Sequence, residues 1–151
     1  MNTEQIKMKY DLLLIFAILG GKISDAMNKC INRNFQEYNV PITCEEWTVL
    51  YHLWERNGAV QQELCTATMK TKIEITRIIN RMESKGLVVR RQSDEDHRAN
   101  HIWLTSYAED LKEKARFVAN KTLKAALRGL TEEEKRICQE SLKIIFKNIK
   151  D

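Results

Sequence analysis

Between Lys70 and Thr105 the hydrophobic period of the chain changes from that of a helix to that of strands. Ile75, Ile78, Ile79 and Met82 recur at i, i+3, i+4 and i+7, which is one apolar stripe along a helix. Thr71 and Glu74 have the Thr-x-x-Glu spacing of a capping box, in which each side chain satisfies a free backbone N–H at the helix start. Gly86 is placed as a left-handed stop after the last turn. Leu87-Val88-Val89 then opens a β-prone run, and His101-Ile102-Trp103-Leu104 supplies its return. The pattern predicts a helix, a tight stop and a two-stranded hairpin with a charged tip.

The flanking segments read as helices. A first helix is predicted over about residues 4–38, with Ile6, Tyr10, Leu13, Leu14, Ala17, Ile18, Met27, Ile31 and Phe35 spread over more than one side. A helix apolar on more than one side packs on more than one side, and a two-fold partner chain is the natural second surface. Its run Leu12–Gly21 is far short of the roughly 20 residues a membrane span needs. Asp11 and Lys22 bracket the run and no small-x-small cleavage pattern follows, so it predicts neither a span nor a signal peptide. After Pro41, Thr43-Cys44-Glu45-Glu46 opens a second capped helix to about Arg56, with Trp47, Leu50, Tyr51 and Trp54 as its stripe. Asn57-Gly58 is a turn, and Val60–Thr68 a short helix.

A long helix is predicted from Thr105 to about Arg128. Ala108, Leu111, Ala115, Val118 and Thr122 form its stripe, Ala119, Leu123 and Ala126 widen it, and Gly129 ends it. Thr131 and Glu134 cap a last helix to about Lys150, whose apolar face is Cys138, Leu142, Ile145, Phe146 and Ile149. One Pro and five Gly leave little room for long turns. The fold class is therefore mostly α with a small β-hairpin (α+β), in a chain long enough to bury roughly 68–70% of its unfolded surface without metal or disulfide.

Charge changes the picture by its distribution. The net value of +4 is only mildly basic. Residues 70–91, however, hold seven Lys or Arg against two Glu, a net +5 that exceeds the whole chain's. Such concentration on one element is the footprint of a phosphate-binding surface; an ordinary solvated helix face is the alternative. Catalytic chemistry finds no support. His52, His97 and His101 follow no ligand spacing, and there is no Gly-rich phosphate loop or serine elbow. Cys30, Cys44, Cys65 and Cys138 include no C-x-x-C pair, so neither zinc nor another cofactor is expected. Reduced thiols of a cytoplasmic protein, acting as small core hydrophobes, are the default, with a redox switch at one of them as the alternative.

The order of residues narrows this further. The run Ile75-Thr76-Arg77-Ile78-Ile79-x-Arg81-Met82-Glu83-x-Lys85-Gly86-Leu87-Val88-x-Arg90 continues into Asp94-Glu95-Asp96-His97-Arg98-Ala99 and Leu104-Thr105. It closely resembles the signature of the multiple antibiotic resistance regulator (MarR) family of bacterial winged-helix transcription factors, most densely over residues 43–105. The resemblance implies a winged helix-turn-helix domain over 43–105, with dimerisation helices at 4–38 and 106–151. It also implies a homodimer on a near-palindromic operator, repression as the usual mode, and in many members release by a small ligand or oxidant.

Roles for individual residues follow. In the major groove Arg77 is placed for guanine O6/N7, Asn80 for an adenine edge and Ile73 for a thymine methyl. Lys72, Thr76 and Arg81 are placed for phosphates, Gln61 and Gln62 for a phosphate at the start of their short helix, and Arg91 for the same basic surface. At the wing the resemblance makes Arg98 the minor-groove arginine and Asp96 the residue that holds it; an arginine gains from the negative potential of a narrow A/T-rich groove. A surface ion pair is the alternative for Asp96 and Arg98.

Three positions depart from the family pattern. His97 stands where Arg is usual, which predicts weaker or pH-sensitive wing contact. Glu74 replaces a hydroxyl that often meets DNA, and Ala108 replaces a common Gly. The family's effector crevice suggests Trp47, Tyr51, Trp54 and Tyr107 as lining, with core packing as the alternative for each. A winged helix used for protein or RNA contact is the rival functional reading.

Overall fold

The computed structural model describes residues 2–95 and 98–150, without the side chains of residues 6–10, which include Ile6 and Tyr10. The predicted first helix is an unbroken helical rod in three parts: α1 (Thr3–Ile15), a π-helical segment Phe16–Gly20, and α2 (Gly21–Glu37). The wider π turn falls inside the Leu12–Gly21 apolar run and ends at two glycines. It shifts the phase of the apolar positions before it relative to those after it. Among the described side chains of the rod, only Ile31 and Phe35, near the C-terminal end of α2, are buried within the chain. Leu12, Leu13, Leu14, Ile15, Ile18 and Ile23 stay more than half exposed.

The elements that follow are α3 (Cys44–Glu55), β1 (Ala59–Val60), α4 (Gln61–Thr68), α5 (Lys72–Ser84), β2 (Val88–Gln92), β3 (Asn100–Leu104), α6 (Ser106–Ala126) and α7 (Glu132–Ile149). The expected capping boxes at Thr43/Glu46, Thr71/Glu74 and Thr131/Glu134 all form. The hairpin expected to have two strands is part of a three-stranded antiparallel sheet, order β1-β3-β2. Val88 pairs with Leu104 and Gln92 with Asn100 on one side of β3, while Ala59 pairs with Ile102 and Val60 with His101 on the other. Val60 therefore belongs to a strand, and the short helix starts at Gln61. A two-residue strand carries no period to detect; its pairing is supplied by β3, where Ile102 and His101 lie 43 and 41 residues after Ala59 and Val60.

The core is built on α5. Ile75, Ile78, Ile79 and Met82 are wholly buried and join Leu50 and Leu53 of α3, Leu64 of α4, Ile102 of β3 and Phe35 of α2. On α3 the buried stripe is Glu46, Val49, Leu50 and Leu53, rotated from the aromatic stripe. Trp47 and Trp54 pack against the core from its edge, and Tyr51 is about half exposed. Ala108, Ala115, Val118 and Thr122 form the buried stripe of α6 as expected, whereas no residue of α7 is buried.

Glu46 is 0% exposed and ties α3 to α5. Its carboxylate accepts from Thr43 N–H at 2.8 Å, from Lys85 Nζ at 2.8 Å and from Arg81 Nε at 3.4 Å. A carboxylate cut off from water needs this full set of donors. At the other side of the domain, Asn57 Oδ1 accepts from Leu104 N–H at 2.9 Å, and Gly58 O lies 2.8 Å from His101 Nδ1. Gly58 has φ +77° and lies against Trp103: a Cβ there would come within 2.6 Å of the indole.

Two stability outcomes follow. Glu46→Ala should lower the unfolding free energy by about 1–3 kcal/mol, because it removes several hydrogen bonds to a charged group. Glu46→Gln, which keeps the cap acceptor, should lose less; urea unfolding of both variants checks the order. Gly58→Ala and Gly86→Ala give a second comparison. Both sites have left-handed φ, at +77° and +74°, but a Cβ at Gly86 meets nothing within 4 Å. Gly86→Ala should cost about 1–2 kcal/mol for the backbone alone. Gly58→Ala should cost about 1–3 kcal/mol more for overpacking, with a shift in tryptophan emission from Trp103.

Candidate nucleic-acid interface

α4 and α5 are joined by a turn in which Met69 adopts left-handed φ +56° and Lys70 N–H donates to Cys65 O at 3.1 Å. Thr71 then caps α5: Glu74 N–H donates to Thr71 Oγ1 at 3.2 Å and Thr71 N–H to Glu74 Oε2 at 2.7 Å. Those bonds to Thr71 hold the Glu74 carboxyl below the usual carboxylate range. Glu74 thus serves the helix start.

With its stripe buried, α5 presents the opposite face to solvent. Ile73 is 83% exposed, and Lys72, Arg77, Asn80 and Ser84 are exposed beside it. Gln61 Nε2 donates to Thr76 Oγ1 at 2.6 Å, and Thr76 donates to Lys72 O at 2.8 Å. Gln61, Gln62 and Lys72 line a concavity of about 390 Å³ together with Arg98, Ala99 and Asn100, at the loop end of the wing where β3 begins. Four candidates chosen from separate segments of the sequence therefore surround one hollow. Arg91 lies exposed on β2 and Arg98 exposed on the turn before β3. Asp96 and His97, the other two wing candidates, lie outside the described residues.

Several of the candidate cations already have acidic partners. Arg77 Nη2 lies 3.2 Å from Glu45 Oε1, and Arg81 Nη2 lies 3.1 Å from Glu45 Oε2. Arg81 also pairs with buried Glu46. Partial burial by itself would raise the pKa of Glu45. The hydrogen bonds from Arg81 and Arg77 outweigh it and bring the carboxyl below its ordinary value. Arg90 bridges Glu83 at 3.0 Å and Asn80 Oδ1 at 2.6 Å, so the amide expected to read adenine is oriented by a neighbouring arginine. Glu45, Glu46 and Arg90 were not among the sequence candidates. Their partners lie seven to 39 residues away, and nothing local marks Glu46 beyond its place in a capping box.

The four aromatics expected around an effector do not share one site. Trp47 and Tyr51 tilt against each other at 5.8 Å and line a cavity of about 360 Å³ between α2, α3 and α6, with Met27, Ile31, Cys44 and Leu123 among its other walls. Trp54 instead donates its indole N–H to Ala108 O at 3.2 Å. Tyr107 lines a different hollow with Gln36, Pro41, Thr43 and Lys85. Burial pushes the Cys44 thiol up from its ordinary pKa, against the opposing pull of Lys70. Cys65 is buried, Cys30 half-buried and Cys138 exposed. Among the described residues no His, Cys, Asp or Glu group converges as metal ligands would, and no helix is long and apolar enough to cross a membrane.

Comparison with known proteins agrees with this geometry. A sequence model of the MarR family matches residues 38–99, the stretch from the end of α2 to the wing. The transcriptional regulator HosA of Escherichia coli O111:H- is 30% identical over 70 residues, which cover 46% of this chain. The match spans 52% of HosA, about half its length. A crystal structure of transcriptional regulator PA3341 is 30% identical, covers 89% of this chain and 97% of its own, and superposes with a TM-score of 0.72. A MarR-family regulator from Listeria monocytogenes, solved in complex with a 26mer DNA, shares the fold at a TM-score of 0.75, with 23% identity and 85% of each chain covered. The basic, wing-flanked helix, the matched segment and the shared fold together place the chain in the MarR family of transcriptional regulators.

Proposed function

We propose that this chain is a sequence-specific DNA-binding regulator that works as a homodimer, with α5 in the major groove and the wing in the minor groove. The observation that carries this reading is the hollow between α4, α5 and the wing, where Gln61, Gln62, Lys72 and Arg98 converge beside the exposed Ile73, Arg77 and Asn80. A duplex laid on that face meets side-chain amides and cations for its backbone and side chains able to read base edges. A protein with the same fold was solved in complex with a 26mer DNA, which supports DNA as the partner in this reading. Within this reading Lys72, Thr76 and Arg91 meet phosphates, and Arg81, held by two carboxylates, sets the angle of α5. Asp96 and His97 are assigned to DNA contact from the sequence alone. Repression is the mode we assign, since a protein seated on an operator blocks access to it.

Dimerisation accounts for the surface the chain leaves open. Apolar residues between Leu12 and Ile23 on the first rod, and Ile137, Leu142, Ile144 and Ile149 on α7, leave extensive apolar area exposed. In this reading residues 4–38 and 106–151 bury it against a second copy. The cavity behind Trp47 and Tyr51 is the place we assign to a small-molecule effector, whose entry would shift α6 against α2 and α3.

Fluorescence anisotropy with the DNA upstream of the protein's own gene, against a scrambled duplex over a salt series, tests the DNA reading. A preference for the native duplex and a salt slope of about −0.9 per neutralised phosphate are expected. Arg98→Ala should weaken native binding by about 1–3 kcal/mol. Equal, weak binding to both duplexes, untouched by Arg98→Ala, would refute it in favour of a protein- or RNA-binding winged helix. For the dimer, Leu142→Glu should convert a particle of twice 17.7 kDa into one of a single chain by light scattering, and reduce operator affinity with it.

A further inference from the structure

The basic face of α5 holds less available charge than its sequence suggests. Arg77 and Arg81 contact the two oxygens of one carboxylate, Glu45, at 3.2 and 3.1 Å. Lys85 and Arg81 contact Glu46 at 2.8 and 3.4 Å. The two acids have different surroundings. Glu46 is sealed from solvent, and its carboxylate also accepts from the N–H that opens α3. Glu45 has its side chain 41% exposed, and its partner Arg77 is 56% exposed on the outward face of α5. The capping box uses Glu46 and not Glu45, and Arg81 keeps Glu46 as a second partner. The fold therefore has little need of the Glu45 carboxylate. The side chain for which it is the acid in contact is Arg77.

Two oxygens carrying one negative charge, held at hydrogen-bond distance from guanidinium groups, match a DNA phosphate in charge and acceptor geometry. We propose that Glu45 is an affinity-limiting residue of this surface: it holds Arg77 as a phosphate stand-in, so that DNA gains Arg77 only by displacing it. The inference rests on the DNA-binding reading of α5. On a random duplex Arg77 exchanges one oxyanion for another and gains little, while the released Glu45 carboxylate stays close to the phosphate backbone and opposes binding. On a site that offers a guanine edge, Arg77 exchanges an exposed ion pair for a bidentate contact in the groove, which is worth more. The ion pair broken is the same on either duplex, so Glu45 lowers affinity for any DNA that takes Arg77, and most fully on the site where Arg77 is always released.

The experiment measures full-length wild type, Glu45→Gln, Arg77→Gln and the double variant against the native upstream duplex and the scrambled duplex across a salt series, with thermal unfolding of each. Glu45→Gln should tighten binding to the scrambled duplex by up to about fivefold per protomer, the worth of an exposed ion pair. Its salt slope there should steepen by about 0.9 per protomer. Affinity for the native duplex should rise at least as much, because Arg77 leaves the same carboxylate there. In the Arg77→Gln background the Glu45→Gln effect should vanish. Persistence of the gain without Arg77, or no gain on either duplex, would each overturn the inference. So would a large drop in melting temperature for Glu45→Gln, which would assign the carboxylate to the fold. A wild type with no preference for the native duplex would sink the DNA reading itself and the inference with it. A wild type that prefers the native duplex while Glu45→Gln leaves its affinity for that duplex unchanged would sink the inference alone.

Discussion

A carboxylate with no access to water sets how the recognition helix sits. The apolar stripe of α5 fixes which side faces inward, but packing of branched aliphatic side chains leaves room for a helix to roll or slide, because the hydrophobic term has no direction. Glu46 removes that freedom. Buried among Thr43 N–H, Arg81 and Lys85, it has to find its donors in one arrangement or pay the full cost of an unpaired buried charge. Because Arg81 and Lys85 are one turn apart on α5, satisfying both defines the rotation and the height of the helix against α3 together. The exposed row Ile73, Arg77 and Asn80 inherits its direction from that lock.

The wing is fastened to the same body at two points. β1 joins the residues just before α4 to the outer edge of β3, with Asn57 and Gly58 clamping Leu104, His101 and the Trp103 ring. At the other end Thr105 donates its hydroxyl to Gly86 O at 2.6 Å and its N–H to Leu87 O at 3.1 Å, which ties the start of α6 to the stop of α5. The distance between helix and wing is thus set by short, direct bonds. A surface that must meet two grooves at once needs its two parts held in fixed relation.

Much of this was readable in advance, and the parts that were not share a cause. Helix ends were readable because caps are local: Thr71 and Glu74, or Thr131 and Glu134, carry their whole signal within four residues. The α5 stripe was readable because its period is strong and its buried face is all aliphatic. On α3 the large aromatics drew the eye to the wrong stripe. The deeper positions are Val49, Leu50 and Leu53, while Trp47 and Trp54 are too big and too polar at one edge to sink fully and pack at the rim. β1 was hidden because two residues have no period. The candidate interface was readable in its charge but not in how that charge is partnered. Counting seven cations over residues 70–91 cannot reveal that Arg77, Arg81, Lys85 and Arg90 each face an acid, since Glu45 and Glu46 arrive from α3 and only Glu83 is near in sequence.

The same bonds define how a change far from DNA would reach it. α6 runs 21 residues, from Thr105 at the foot of the wing, past the cavity behind Trp47 and Tyr51, to the turn before α7. A helix of that length is stiff along its axis, so a displacement at one end is not absorbed in between. Its buried anchors are small: Ala108, Ala115 and Val118, with Thr122 receiving Asn34 Nδ2 at 2.7 Å. Small side chains form shallow ridges, which resist sliding less than interlocked large ones. A load on the cavity wall or on the apolar surface at the far end therefore moves α6 as a rod. The first thing it pulls is Thr105, and through it Gly86 and the end of the recognition helix. The Glu46 lock grips Arg81 and Lys85, just before Gly86, so the pull reaches the lock directly. A load that loosened the lock would free α5 to roll, swinging Arg77 and Asn80 relative to the wing.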